Sequence, residues 1–199
     1  MPFVKGGKRT WLLGNTMMAN RIRNFLDNNP DRIVPTPEYC GPCCDTSQVD
    51  LHEAKAIVFN CMDFRLRDNV TCHLNLKGYK NEYDEVIAAG ASLGYNGLLA
   101  YENWNTFVDN HVALAHSLHD ISEIIIVEHE KCGAYKAQYG ALTLEEEKKY
   151  HIENVKQAAD TLWSKFNSTN GTIVPIPKLK IIAYLISING GSFEKLYEL

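Results

Sequence analysis

The 199-residue chain has no apolar run approaching the roughly 20 residues that a spanning helix needs. Its longest, around 181–186, is strand-sized, so no membrane partner is expected. An excess of one charge sign is missing too: 20 Lys and Arg against 24 Asp and Glu leave a net −4. That mildly acidic balance argues against nucleic acid as the main partner, because phosphate binding needs clustered cations. Cysteine is sparse for a disulfide scaffold, with six residues in the whole chain. No secretory signal is visible, so a cytoplasmic setting with reduced thiols or metal ligands is expected. Internal repeats and low-complexity segments are absent. What is present is the composition of a soluble globular protein, 45% hydrophobic and 22% charged, with length enough for a sizeable core.

The charge is unevenly spread. Residues 1–26 contain no Asp or Glu but carry Lys5, Lys8, Arg9, Arg21 and Arg23, a local +5, so the remainder holds −9. An acid-free basic start suggests an organelle address, but the stretch has no serine. Residues 17–26 read instead as an amphipathic helix with Met18, Ile22, Phe25 and Leu26 on one side. The organisation expected is an N-terminal helical arm over 1–29, packing on another subunit, and a linker over 30–53. The linker is marked by Pro30, Pro35, Pro37, Gly41 and Pro42. An α/β domain then fills 54–199.

Within that domain strand and helix alternate. Ala56-Ile57-Val58-Phe59 is a short β-branched run suited to a strand buried on both faces. Residues 84–88, 124–127 and 181–186 supply three more. Val112, Leu114, Ala115 and Leu118 are helical material leading into the third strand. Thr143-Leu144-Glu145-Glu146 forms a capping box. Ile152, Val155, Ala159 and Leu162 then fall on one helical stripe, and Asn170-Gly171 ends that helix. The pattern is an α/β fold with a mainly parallel sheet flanked by helices.

Two of the strands end in metal-ligand residues, and open sheets place their sites beyond the carboxyl ends of strands. The first strand runs into Cys61-Met62-Asp63-Phe64-Arg65. The third runs into His129-Glu130-Lys131-Cys132-Gly133. Two thiolates and an imidazole suit tetrahedral zinc. His129 and Cys132, three apart across a turn, can reach one ion, with Gly133 expected to let the chain turn behind them. Three protein ligands leave a fourth position for a water that ionises near neutral pH and becomes a hydroxide nucleophile. Asp63 can lie at the metal or pair with Arg65. Paired, it stays ionised and able to accept a hydrogen bond from the reacting oxygen; released, it could close the site as a fourth ligand.

Cys-x-Asp-x-Arg followed by His-x-x-Cys-Gly, each after a strand, resembles the β-class carbonic anhydrase family. The likeness spans roughly 54–190, including Ala89-Gly90 and the segment His151-Ile152-Glu153-Asn154-Val155. It implies a zinc lyase (carbonate dehydratase) that hydrates carbon dioxide reversibly to bicarbonate, with Cys61, His129 and Cys132 as ligands and Asp63 and Arg65 as catalytic groups. It also implies a four-stranded parallel core and a homodimer or multiple of dimers joined by N-terminal arms. The chain departs from the family where Phe64 stands in place of Ser. Ile87-Ala88 and Ala91-Ser92 replace the usual flanks of Ala89-Gly90, and Glu128 stands in place of Gly. These departures bear on pocket shape, interface and substrate. They keep open a carbonyl sulfide or carbon disulfide hydrolase, or a zinc-stabilised assembly subunit without turnover.

Other residues carry blander expectations. Cys40-Gly41-Pro42-Cys43-Cys44 has the letters of a thioredoxin-like motif without its strand and helix, which leaves a local disulfide, a second metal site or no role. Cys72-His73 is expected to be structural and Phe64 to pack. His111, His116 and His119 are read as solvated helix histidines, with a proton shuttle as the alternative. Residues 145–149 (Glu-Glu-Glu-Lys-Lys) are read as a solvated helix start. Tyr135, Gln138 and Tyr139 line the pocket or pack in the core.

Overall fold

The computed structural model describes residues 52–98, 102–167 and 175–199, which lie in the unit Leu51–Leu199. The expected arm over 1–29, most of the linker, Cys40, Cys43, Cys44 and Asn170-Gly171 lie outside the described residues.

Five strands form one sheet in the order β2-β1-β3-β4-β5. They are β1 (Ala56–Asn60), β2 (Tyr83–Ile87), β3 (Glu123–His129), β4 (Lys180–Ile186) and β5 (Phe193–Glu198). The first four are parallel, with β1 between β2 and β3. Every residue of β1 is buried, and so is β3 from Ile124 onward, as a parallel sheet covered on both faces requires. The antiparallel β5 adds a strand to the four expected. Its sequence, Phe-Glu-Lys-Leu-Tyr-Glu, is half exposed and interrupted by charge, so it lacks the apolar run that marked the others.

The helices are α1 (Arg67–Leu76), α2 (Ser92–Tyr95), α3 (Trp104–His119), α4 (Gly133–Tyr139) and α5 (Leu144–Phe166). Helix α1 covers the sheet face that presents Val58, Ile125, Val127 and Ile186, through Val70 and Leu74. Strand alternation turns Ile57, Phe59, Ile124 and Ile126 to the opposite face. Helix α3 packs on β1 and β2, and α5 on β4 and β5. The capping box forms as expected: Glu146 N donates to Thr143 Oγ1, and Thr143 N donates to Glu146 Oε2. The α5 stripe is shifted from the expected one. Glu147, His151, Val155, Ala158, Ala159 and Leu162 face inward, and Ile152 is exposed. On α3, Val108, Val112 and Ala115 are the buried positions, while Leu114 and Leu118 are exposed. Among the described residues, no helix is long and apolar enough to cross a membrane.

The topology locates the site. From β1 the chain steps outward to β2, then returns to the other side of β1 to form β3. Connections therefore diverge between β1 and β3, leaving a crevice at their carboxyl ends.

Candidate metal centre

Cys61 is the first residue beyond β1, His129 ends β3, and Cys132 is the N-cap of α4. Their ligand atoms lie within 4.8 Å of one another and could hold a metal ion; the two Sγ atoms are 3.9 Å apart. His129 is 3% exposed, and its Nδ1 pairs with the Glu130 carbonyl at 3.0 Å. With Nδ1–H donating there, Nε2 carries the lone pair, and this buried Nε2 has no hydrogen-bond partner. A buried nitrogen acceptor aimed at two thiols fits a borderline-soft divalent cation.

The thiols are electrostatically unequal. A hydrogen bond from Cys132 pulls the Cys61 pKa down to about 4 against the opposing effect of burial, with His129 and the Gly90 amide assisting. Cys132 is pushed up, first by that same bond and then by burial. Burial alone would lower the His129 pKa, but the adjacent Cys61 outweighs it and raises it. Gly90 N donates to Cys61 Sγ at 3.3 Å. This residue has φ +71, and a Cβ there would stand 2.9 Å from Ala134 Cβ, so only glycine brings that amide in.

Asp63 caps a 3-10 turn over Phe64–Leu66. Its Oδ1 accepts from Arg65 N at 3.0 Å and Arg65 Nε at 2.9 Å, and its Oδ2 accepts from Arg65 Nη2 at 2.5 Å. The Arg65 hydrogen bonds hold the carboxyl at a pKa of about 2. Arg65 Nη2 also donates to the Lys131 carbonyl at 3.2 Å, joining the two ligand loops. Asp63 Oδ2 is 3.8 Å from His129 Nε2, beside the ligand atoms but not among them. The tight turn between His129 and Cys132 is made by Lys131, with φ +54, and not by Gly133, which begins α4.

A pocket opens on this cluster with Leu66, Val70, Val127 and Ile186 as apolar walls. Its polar side is Asn60 and Arg67, both bound to Glu85: Asn60 Nδ2 donates at 2.7 Å and Arg67 Nη2 at 3.1 Å. Phe64, expected to pack, is 84% exposed beside the site. Tyr135 is fully buried against His151, and Tyr139 stacks on Tyr150; neither lines this pocket.

The histidines of α3 are not at the site. His116, expected to be solvated, is buried and pairs through Nδ1 with the Ile121 carbonyl; His119 pairs with Asp84 at 2.7 Å. His73 pairs with the Gly190 carbonyl and stacks on Phe193, a structural role, while Cys72 is exposed.

Sequence reasoning missed the layer behind the candidate ligands. Glu128 is 0% exposed, and its Oε1 accepts from Ser92 N at 2.9 Å and from Ser92 Oγ. Two departures from the family pattern therefore meet each other. Its Oε2 pairs with His151 Nδ1 at 3.0 Å. Glu147, expected to be solvated, is 6% exposed and accepts from Lys131 N at 2.7 Å and Cys132 N at 2.9 Å. The available signal was spacing: Glu147, His151 and Val155 recur every four residues, on one helix face.

A protein-family model described as "Putative carbonic anhydrase" matches residues 51–174. An uncharacterized protein of Rickettsia bellii is 30% identical over 151 residues, covering 74% of this chain and 85% of its own. An uncharacterized protein of Rickettsia conorii is 30% identical over 153 residues, covering 75% of each. Among solved structures, the β-carbonic anhydrase of the fungal pathogen Aspergillus fumigatus is similar with a TM-score of 0.51 at 12% identity. That likeness covers 92% of this chain and 89% of that one.

Proposed function

This chain belongs to the carbonic anhydrase family and has the fold of its β class, and from that premise we propose that it is a zinc enzyme hydrating carbon dioxide reversibly to bicarbonate. The observation that carries the reading is the convergence of Cys61 Sγ, Cys132 Sγ and the unpartnered His129 Nε2 within 4.8 Å. Those three atoms would hold the ion. When bound, zinc acidifies water and so supplies a nucleophile near neutral pH.

The chain's own groups do the rest. Asp63, kept ionised by Arg65, presents Oδ2 as an acceptor for a proton of the attacking water, 3.8 Å from His129 Nε2. That bond orients a lone pair toward the substrate carbon. Arg65 grips both carboxylate oxygens and so also keeps Asp63 from swinging in as a competing ligand. Leu66, Val70, Val127 and Ile186 give a linear, nonpolar substrate a dry wall beside the nucleophile. A homodimer or multiple of dimers goes with this reading. Phe64 and Met62, both largely exposed beside the site, support a second copy covering it.

The apolar wall also favours a second reading, because carbonyl sulfide and carbon disulfide are linear, weakly hydrated and larger than carbon dioxide. Stopped-flow carbon dioxide hydration on zinc-verified protein, alongside sulfide release from both sulfur substrates, separates the two. Hydration without sulfide supports the first reading, and sulfide release with negligible hydration selects the second. Retained zinc and a stable oligomer with turnover of none of the three support the assembly role.

A further inference from the structure

Resting on the assignment of Cys61, His129 and Cys132 as ligands, we propose that Glu147 is a positioning residue for the metal. With His151 and Glu128 it forms a buried brace that sets how tightly the ion is held. Glu147 belongs to α5, outside both ligand loops, yet its carboxylate lies buried against the turn joining His129 to Cys132. Oε2 takes the Lys131 amide at 2.7 Å and Oε1 the Cys132 amide at 2.9 Å. The gripped turn holds Lys131 at φ +54, a conformation that residues other than glycine adopt with strain. Burying a carboxylate is costly unless its lone pairs are satisfied. Capping of α5 is already performed by the exposed Glu146, so that task does not explain Glu147.

From Glu147 the polar chain continues inward. His151 Nε2, buried and without a hydrogen bond, faces Glu147 Oε1 at 3.9 Å, and His151 Nδ1 is 3.0 Å from Glu128 Oε2. Glu128 is covalently next to His129 but points to the other sheet face. There it accepts from Ser92, two residues beyond the glycine whose amide meets Cys61 Sγ. The polar chain thus binds the Cys132 amide, adjoins His129 through the Glu128 peptide, and ends two residues from the amide that meets Cys61 Sγ. Outer partners that fix ligand geometry typically change metal affinity about 10- to 100-fold.

The test is zinc affinity, measured by competition with a chromophoric chelator, for wild type, Glu147→Gln and Glu146→Gln. In Glu147→Gln the side-chain amide can accept from only one of the two backbone N–H groups. Binding about 10- to 100-fold weaker is expected for this variant, with a shifted cobalt–thiolate absorption in the cobalt-loaded protein. Glu146→Gln, which touches only the cap, retains wild-type affinity. Wild-type affinity in Glu147→Gln, whatever its melting temperature, overturns the proposal. Should that variant fail to fold, His151→Asn probes the brace from its middle: roughly tenfold weaker binding supports it, and unchanged affinity overturns it. A wild-type chain that takes up no zinc refutes the metal assignment itself, a result distinct from either.

Discussion

Replacing Asp63 by Asn isolates the charge proposed to orient the nucleophile while preserving shape. The carboxylate accepts three hydrogen bonds from Arg65, two at Oδ1 and one at Oδ2. An amide keeps the Oδ1 pair only by turning its NH2 group toward Arg65 Nη2, 2.5 Å from the present Oδ2, where two donors collide. Arg65 must then release one side of its fork. Because the Arg65 side chain is 42% exposed, solvent replaces the lost contact and the stability cost stays near ~1 kcal/mol. For a chain of this length that lowers Tm by about 2–4 °C. Catalysis suffers more, since the acceptor aimed at the attacking water is gone. A positioned proton acceptor contributes about 10²- to 10⁴-fold, so kcat/KM should fall at least about 100-fold, or ~2.7 kcal/mol of barrier. Stopped-flow hydration, with zinc content measured on the same sample, checks this. Full activity at full zinc occupancy refutes the role of Asp63. Loss of zinc along with activity refutes it differently, by making Asp63 a ligand.

Acid titration tests the same pair by linkage. The Asp63 pKa is depressed to about 2, so its contribution is complete above the unfolded value near ~4 and disappears as pH falls from there toward 2. Urea unfolding of wild type and Asp63→Asn should therefore differ at pH 6 and converge near pH 2; a constant difference refutes the pairing. Gly90→Ala places a methyl 2.9 Å from Ala134 Cβ at φ +71. It should cost about 2–3 kcal/mol and lower Tm by roughly 5–10 °C, and an unchanged Tm contradicts the close approach. His119→Gln should leave the hydration rate and its buffer dependence at wild-type values, because His119 is engaged with Asp84 and lines no part of the pocket. A rate that falls and is rescued by added imidazole restores a shuttle.

What the sequence made legible was local or strongly periodic. The inner parallel strands β1, β3 and β4 are nearly continuous apolar runs and were visible as such, whereas the edge strand β2, with Val86 as its one buried residue, lies one residue from the expected span. The Cys61, His129 and Cys132 cluster, which could hold a metal ion, was visible because Cys61 and His129 sit at the ends of neighbouring strands, where topology brings them together. What escaped was set by tertiary contact. Leu114 and Leu118 have apolar side chains but lie off the face α3 turns to the sheet. The acidic run at 145–147 divides into two exposed residues and one buried one, because only Glu147 falls on the inward stripe. Phe64 has the chemistry of a core residue and stands in solvent. Lys131, rather than the neighbouring glycine, takes the left-handed position because Glu147 and Arg65 hold its backbone from both sides.

The most direct test of the central claim is zinc K-edge absorption spectroscopy of the zinc-loaded protein. If Cys61, Cys132 and His129 are the ligands, the spectrum contains two sulfur scatterers at about 2.3 Å and one imidazole nitrogen at about 2.0 Å. One sulfur should disappear in Cys61→Ser. A sulfur-free shell, a four-sulfur shell, or a Cys61→Ser spectrum identical to wild type contradicts it.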